Sequence, residues 1–126
     1  MIAIEFENNR TAFDSGEKIA GLSRWSELPD PIEGIEVRMI WYTQGKGDRD
    51  VTIVDQQNIP TTLATGQSKF EFTAPEGPYS FSGKLISLIW AIEVIALPRR
   101  ESESVNIVIA PNGKEVVLSA DAKDVQ

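Results

Sequence analysis

Along most of the chain, apolar residues alternate with polar ones, and Gly/Pro clusters cut the alternation into short runs. A period of two marks a strand with one buried face, so the pattern predicts a succession of strands. Ile2, Ile4 and Phe6 alternate with Ala3, Glu5 and Glu7 in the first. Asn8-Asn9-Arg10 and Asp14-Ser15-Gly16 predict turns, and a second strand runs from about Glu17 to Trp25. Pro29 and Pro31 break the chain, because proline has no N–H to give a ladder. Over residues 32–42, Ile35, Val37, Met39 and Trp41 form one apolar face. Gly45-Lys46-Gly47-Asp48 predicts a hairpin, with Val51 and Ile53 anchoring the return strand. Residues 60–68 read as a polar loop in which Leu63 is the one large apolar residue. Phe70 and Phe72 make a short strand, Glu76-Gly77-Pro78 a turn, and Leu85 to Leu97 a long strand. Val105, Ile107 and Ile109 alternate in a further strand; Asn112-Gly113 predicts a type I′ hairpin that returns residues 116–118 against it.

The run Leu85–Leu97 is long enough for a helix, but Ile86, Ile89, Trp90, Ile92, Val94 and Ile95 favour a strand. The total is eight or nine strands and no significant helix, an all-β antiparallel immunoglobulin-like sandwich. With 126 residues the chain is expected to form one domain over residues 1–120, followed by a frayed acidic tail, residues 121–126.

Composition narrows the chemistry. Lys plus Arg is 12 against 19 for Asp plus Glu, a net charge of −7 with no basic stripe, so no nucleic-acid partner is expected. The chain has no cysteine and no histidine, which removes thiol chemistry, the Ser-His-Asp triad and the commonest metal ligand. Met1–Glu7 lacks the basic start of a secretion signal. The apolar stretch Leu85–Leu97 is interrupted by Ser87 and Glu93 and is too short to cross a bilayer, so no membrane insertion is expected. A soluble, cytoplasmic, non-catalytic protein without a cofactor fits these facts. Gly77–Lys84 has the wrong spacing for a phosphate loop, and Asp48, Asp50 and Asp55 lack the turn glycine and bidentate Glu of a calcium loop.

Four stretches share a further pattern. They are Phe13-Asp14-Ser15-Gly16-Glu17-Lys18-Ile19-Ala20-Gly21, Ile32-Glu33-Gly34-Ile35-Glu36-Val37-Arg38, Thr65-Gly66-Gln67-Ser68-Lys69-Phe70-Glu71-Phe72, and Ala74-Pro75-Glu76-Gly77-Pro78-Tyr79-Ser80-Phe81-Ser82-Gly83-Lys84 leading into Leu85–Val94. In this order and with these gaps the chain resembles a single arrestin-type lobe, from about Phe13 to Leu97. Arrestin-like proteins, among them a retromer subunit and bacterial sporulation-control proteins, join two such lobes, whereas this chain has length for one. The lysines with which receptor-binding arrestins sense phosphate on the first strand are replaced here by Glu5 and Glu7, so phosphate sensing does not carry over. What the resemblance implies is a non-catalytic scaffold whose partner is another protein; fold analogy does not name that partner.

Two strands are apolar on both sides. Opposite Ile86, Leu88, Trp90, Ile92 and Val94 stand Leu85, Ile89, Ala91, Ile95 and Leu97, and the strand over residues 32–42 adds Ile40 and Tyr42 to its nominally outer face. A two-layer sandwich buries one face of each sheet, so this surplus needs a cover. Ile40, Tyr42, Ile89, Ala91 and Ile95 are therefore the candidate protein interface, with a second copy of the chain as the simplest partner. Cover by the chain's own residues 26–31 or 60–68 is the equal alternative. Trp41 and Trp90 are in phase with the core, whereas Trp25 is the candidate stacking residue for the rival reading, a small-molecule or carbohydrate-binding module. A structural subunit of a larger assembly is the third reading.

Overall fold

The structure, a computed structural model, describes residues 1–29, 31–45, 49–83, 85–98, 100–111 and 116–117. Seven long strands carry two sheets: β1 (Ile2–Phe6), β3 (Lys18–Trp25), β4 (Gly34–Gly45), β5 (Val51–Ile59), β6 (Gly66–Thr73), β8 (Ile86–Leu97) and β9 (Glu101–Ile109). Three two-residue strands, β2 (Ala12–Phe13), β7 (Phe81–Ser82) and β10 (Val116–Val117), join at the margins. A 3₁₀ turn spans Glu7–Asn9, in which Asn8 and Asn9 take positive φ. Asparagine tolerates that region better than most residues.

β1, β3 and β6 form the smaller antiparallel sheet. The larger is ordered β10-β7-β8-β4-β5, with β9 also on β8 and β2 on β9. Its backbone is the twelve-residue antiparallel ladder of β4 on β8, from Gly34 opposite Leu97 to Gly45 opposite Ile86. Period-two alternation puts Ile35, Val37 and Met39 of β4 and Leu88, Trp90, Ile92 and Val94 of β8 on the inner side. They meet Ile2, Phe6, Ile19, Phe70 and Phe72 of the smaller sheet in one core. Gly21 stands between Phe6 and Phe70 in the register, and the missing side chain lets those rings meet edge to face, with centroids 5.9 Å apart.

Two expectations change. Residues 116–117 do not return against β9; they pair parallel with β7. β2, which lies between two turns and is too short to show a period, pairs parallel with β9. The chain changes sheet from β1 to β2 and back to β3, and such a crossing leaves no mark in the alternation. The hairpin tips Lys46–Asp48 and Asn112-Gly113, residue 118 and the acidic tail lie outside the described residues.

Candidate interaction face

The outer side of the larger sheet has two zones, set by register. Toward the start of β4, Glu36 faces Ile95 and Arg38 faces Glu93, with Asn58 and Gln56 on the β5 side. Toward its end, Ile40 faces Ala91 and Ile53, and Tyr42 faces Ile89 and Val51. In the first zone Arg38 donates to the Glu36 carboxylate at 2.6 Å, the two side chains being 16% and 18% exposed. The Arg38 Nε is buried with no hydrogen-bond partner. In the second, Ile40, Tyr42 and Ala91 form a small cluster separate from the main core, with Ile89 half-buried against it. The Tyr42 hydroxyl donates to Asn106 Oδ1 at 3.3 Å, and the Arg49 guanidinium lies 3.9 Å from the Tyr42 ring centroid, a cation–π contact.

Ile40, Tyr42, Ala91 and Ile95 are thus buried within the chain itself, and of the five residues singled out only Ile89 keeps appreciable surface. Among the described residues, no apolar side chain of either proposed loop joins the Ile40, Tyr42 and Ala91 cluster. Leu28 and Ile32 turn inward and join the main core, and the Leu28 amide bonds to the Ala64 carbonyl at 3.1 Å. Part of the cover comes from polar side chains of the sheet, Arg49 over Tyr42 and the Glu36–Arg38 pair beside Ile95.

Trp25 is also inside. It is 4% exposed, donates its indole N–H to the Leu63 carbonyl at 3.0 Å, and packs so closely on Gly66 that a Cβ there would lie 2.7 Å from the ring. Its face is not offered to a ligand, which corrects the expectation of an exposed aromatic. Residues 60–65 make the loop that closes over it, so that loop is ordered by an indole rather than by apolar burial of Leu63, which is exposed.

The surplus apolar surface sits instead on β5. Val51, Ile53 and Val54 are 54%, 49% and 41% exposed, although alternation suggested that Val51 and Ile53 anchor this strand. Among the described residues β5 pairs with β4 alone, so its other edge is open; β6 approaches it only at the far end, where Gln57 Nε2 donates to the Glu71 carbonyl at 2.7 Å. A bulge interrupts the ladder: Met39 faces Asp55 and Ile40 faces Ile53, leaving Val54 as the extra residue.

Elsewhere, a cleft of about 320 Å³ is lined by Glu7, Asn8, Arg10, Phe13, Lys18, Ala20 and Glu71. Its cations are engaged: Arg10 bonds Glu17 and lies over Phe13, and Lys18 is 3.9 Å from Glu71. The Arg10 hydrogen bond, helped by the Asp14 amide, holds the Glu17 carboxyl below its ordinary pKa. This arrangement fastens the turn at residues 14–17 and leaves neither cation unpaired.

Comparison with known proteins adds to this geometry. No family model matches the chain, and no curated protein matches it either. Among solved structures, the sporulation control protein Spo0M from Bacillus subtilis matches with a TM-score of 0.59 at 16% identity, over 86% of this chain and 48% of that one. The fold is arrestin-like. This chain therefore spans about half the length of Spo0M. The stretches that carry the resemblance fall on β2 and β3, the start of β4, β6, and the segment through β7 into β8. The last of these is stitched down: Trp90 donates to the Pro78 carbonyl at 2.8 Å, and Ser80 both donates its amide to the Ile109 carbonyl and accepts the Ile109 amide on its hydroxyl at 3.0 Å. No helix among the described residues is long and apolar enough to cross a membrane. The exposed apolar residues Val51, Ile53 and Val54 lie on β5, which no sequence stretch of the resemblance includes.

Proposed function

We propose that this chain is a non-catalytic, arrestin-like protein-interaction module of the cytoplasm that binds other polypeptides along the β5 side of its larger sheet. The observation that carries the reading is the run of Val51, Ile53 and Val54, exposed on an open edge and continuous with Ile40, Tyr42, Ile89 and Ala91. Exposed apolar groups gathered at one place mark contact surfaces more often than singly scattered ones do. The lack of His and Cys supports the non-catalytic half of the reading. A sugar-stacking module needs an open aromatic platform, whereas Trp25 and Trp90 are buried with their indole N–H groups committed inside the chain.

The test is parallel capture from lysate with wild type and Ile53→Lys as baits, both checked for folding by circular dichroism. A near-stoichiometric polypeptide held by wild type and lost by the variant supports the module. Identical proteins on both baits place binding elsewhere and sink this reading.

A further inference from the structure

The ladder between β4 and β5 fixes where the backbone of β5 points. The Thr43 amide donates to the Asp50 carbonyl at 3.0 Å, and the Asp50 amide donates to Thr43 Oγ1 at 3.4 Å, so the two stand opposite each other as a hydrogen-bonded pair. In an antiparallel ladder such pairs alternate with pairs whose N–H and C=O turn away from the neighbouring strand. Val51, opposite Tyr42, and Ile53, opposite Ile40, are then the residues that turn away, while Thr52, opposite Trp41, is bonded to β4. Among the described residues β5 has no strand on that side, so the amides and carbonyls of Val51 and Ile53 point to an open edge. Their side chains are 54% and 49% exposed on the outer face. The same two residues thus offer unpaired backbone groups and apolar surface together. β5 has neither Lys, Arg nor Pro in nine residues to guard that edge, and its bulge comes only after Ile53.

We propose that residues 50–53 take up an extended segment of another protein as an added antiparallel strand, of the pattern basic, apolar, polar, apolar, basic. The inference rests on the reading of the chain as a protein-binding module and names the partner's chemistry. An added antiparallel strand exchanges hydrogen bonds with Val51 and Ile53, and the residues directly opposite them fall on the same outer face. Apolar side chains there extend the cluster of Ile40, Tyr42 and Ala91 through Val51 and Ile53. The residue between them faces Thr52 on the inner side, where a polar side chain suffices. The flanks are set by charge. Asp50 shares the inner side with Thr43, and Asp55, beyond the bulge, shares it with Met39. Both carboxylates are exposed, and neither is in an ion pair among the described residues. They bracket the segment on the side away from Val51 and Ile53, so Lys or Arg on either flank of the apolar pair meets one carboxylate at each end. Arg49 does not oppose them, because its contact with Tyr42 holds it on the outer face. The net charge of −7 favours a basic partner in addition.

The probe is an acetylated, amidated peptide of sequence Gly-Lys-Val-Thr-Val-Lys-Gly, titrated to about 1 mM against the full chain, because so small an interface binds weakly. Hydrogen exchange at the Val51 and Ile53 amides should slow with peptide, while the Thr52 amide, already bonded to β4, should not change. Replacing both Lys of the peptide by Glu should weaken binding about fivefold or more, from two lost charge pairs. Asp50→Lys combined with Asp55→Lys, checked for folding by circular dichroism, should reverse that preference. Methylating the backbone nitrogens of both peptide valines should abolish binding, whereas methylating that of the threonine, which points away from β5, should be tolerated. Equal binding of the basic and acidic peptides, or tolerance of the methylated valines, overturns the proposal. Slow exchange at Val51 and Ile53 that depends on the concentration of the chain alone puts a second copy on the edge and overturns it too. If no peptide binds but Ile53→Lys loses a captured protein, the proposal falls and the module reading stands. If the two baits also hold identical proteins, that reading falls with it.

Discussion

Gly21→Ala tests whether the two rings of the smaller sheet need the empty space between them. A Cβ at Gly21 would lie 2.6 Å from Phe70 Cζ and closer still to the Glu5 carbonyl oxygen, where ordinary contact begins at 3.4 Å. Two effects oppose each other. Replacing glycine in a strand restricts the unfolded chain and stabilises by about 0.5–1 kcal/mol. Overpacking a core costs about 1–3 kcal/mol. The cost belongs at the upper end here, because the nearest atom is backbone held in the β1–β3 ladder and cannot rotate away. The net expectation is a loss of about 2 kcal/mol. At about 2.1 cal/mol/K of unfolding entropy per residue, that lowers Tm by about 8 °C for a chain of 126 residues. Urea denaturation followed by far-UV circular dichroism measures it. Adding Phe70→Leu should recover less than half of the loss, since it removes the ring overlap and leaves the carbonyl one. An unchanged or raised midpoint in Gly21→Ala, or full recovery in the double variant, would refute the reasoning.

Three other outcomes are expected. Glu17→Gln should lower the urea midpoint at pH 7, and the difference from wild type should shrink as the pH falls through the lowered carboxyl pKa. The Arg10 hydrogen bond lowers the folded pKa of Glu17, so its contribution is whole above the ordinary carboxylate pKa and lost as pH falls through the lowered one. Ser80→Ala should cost about 1–3 kcal/mol and speed hydrogen exchange at Ile109, whose amide loses the hydroxyl it bonds in the buried interior. Arg38→Met should cost about 1–3 kcal/mol in urea unfolding by leaving Glu36 half-buried and unpaired, after allowance for partial solvation. Glu36→Leu with Arg38→Met should return stability to within about 1 kcal/mol while raising light scattering.

The alternation of Ile2/Ile4/Phe6, Ile35/Val37/Met39 and Phe70/Phe72 showed the long strands because each has one face in the core, and burial on one face is what writes a period of two. The same rule explains what was missed. β2 and β7 have two residues each, too few for any period, and they are held by bonds to β9 and β8 that depend on the folded chain. The C-terminal half of β5 reads Asp55-Gln56-Gln57-Asn58, a polar string that resembles loop, yet β4 opposite supplies a ladder that makes it strand. Tertiary pairing overrode composition there. The two-sided apolar character of β4 and β8 was legible, and it led to Ile40, Tyr42, Ile89, Ala91 and Ile95. That these are mostly buried was not, because the cover involves Arg38, Arg49 and Asn106, residues that one-dimensional patterning assigns to solvent. Trp25 fell to the same blindness in reverse: its partner is a backbone carbonyl in the loop at Leu63, and no side-chain pattern announces a carbonyl.

The Glu36–Arg38 pair connects these observations. A half-buried ion pair with an unpartnered guanidinium nitrogen is a poor way to stabilise a sheet, since apolar residues of similar volume do as well or better. Its effect on the outer face is more telling. Without it, the apolar strip from Val51 and Ile53 across Ile40, Tyr42, Ile89 and Ala91 would extend through positions 36 and 38 toward Ile95, bounded on the same face by Glu93, Gln56 and Asn58. A surface of that extent adheres without discrimination. With the pair in place, and with Arg49 resting on Tyr42, the apolar character of this face near β5 that reaches solvent lies along the strand edge, where backbone hydrogen bonds demand a definite register. On the reading proposed above, the charges act on specificity more than on stability, by limiting the apolar surface that a partner could meet.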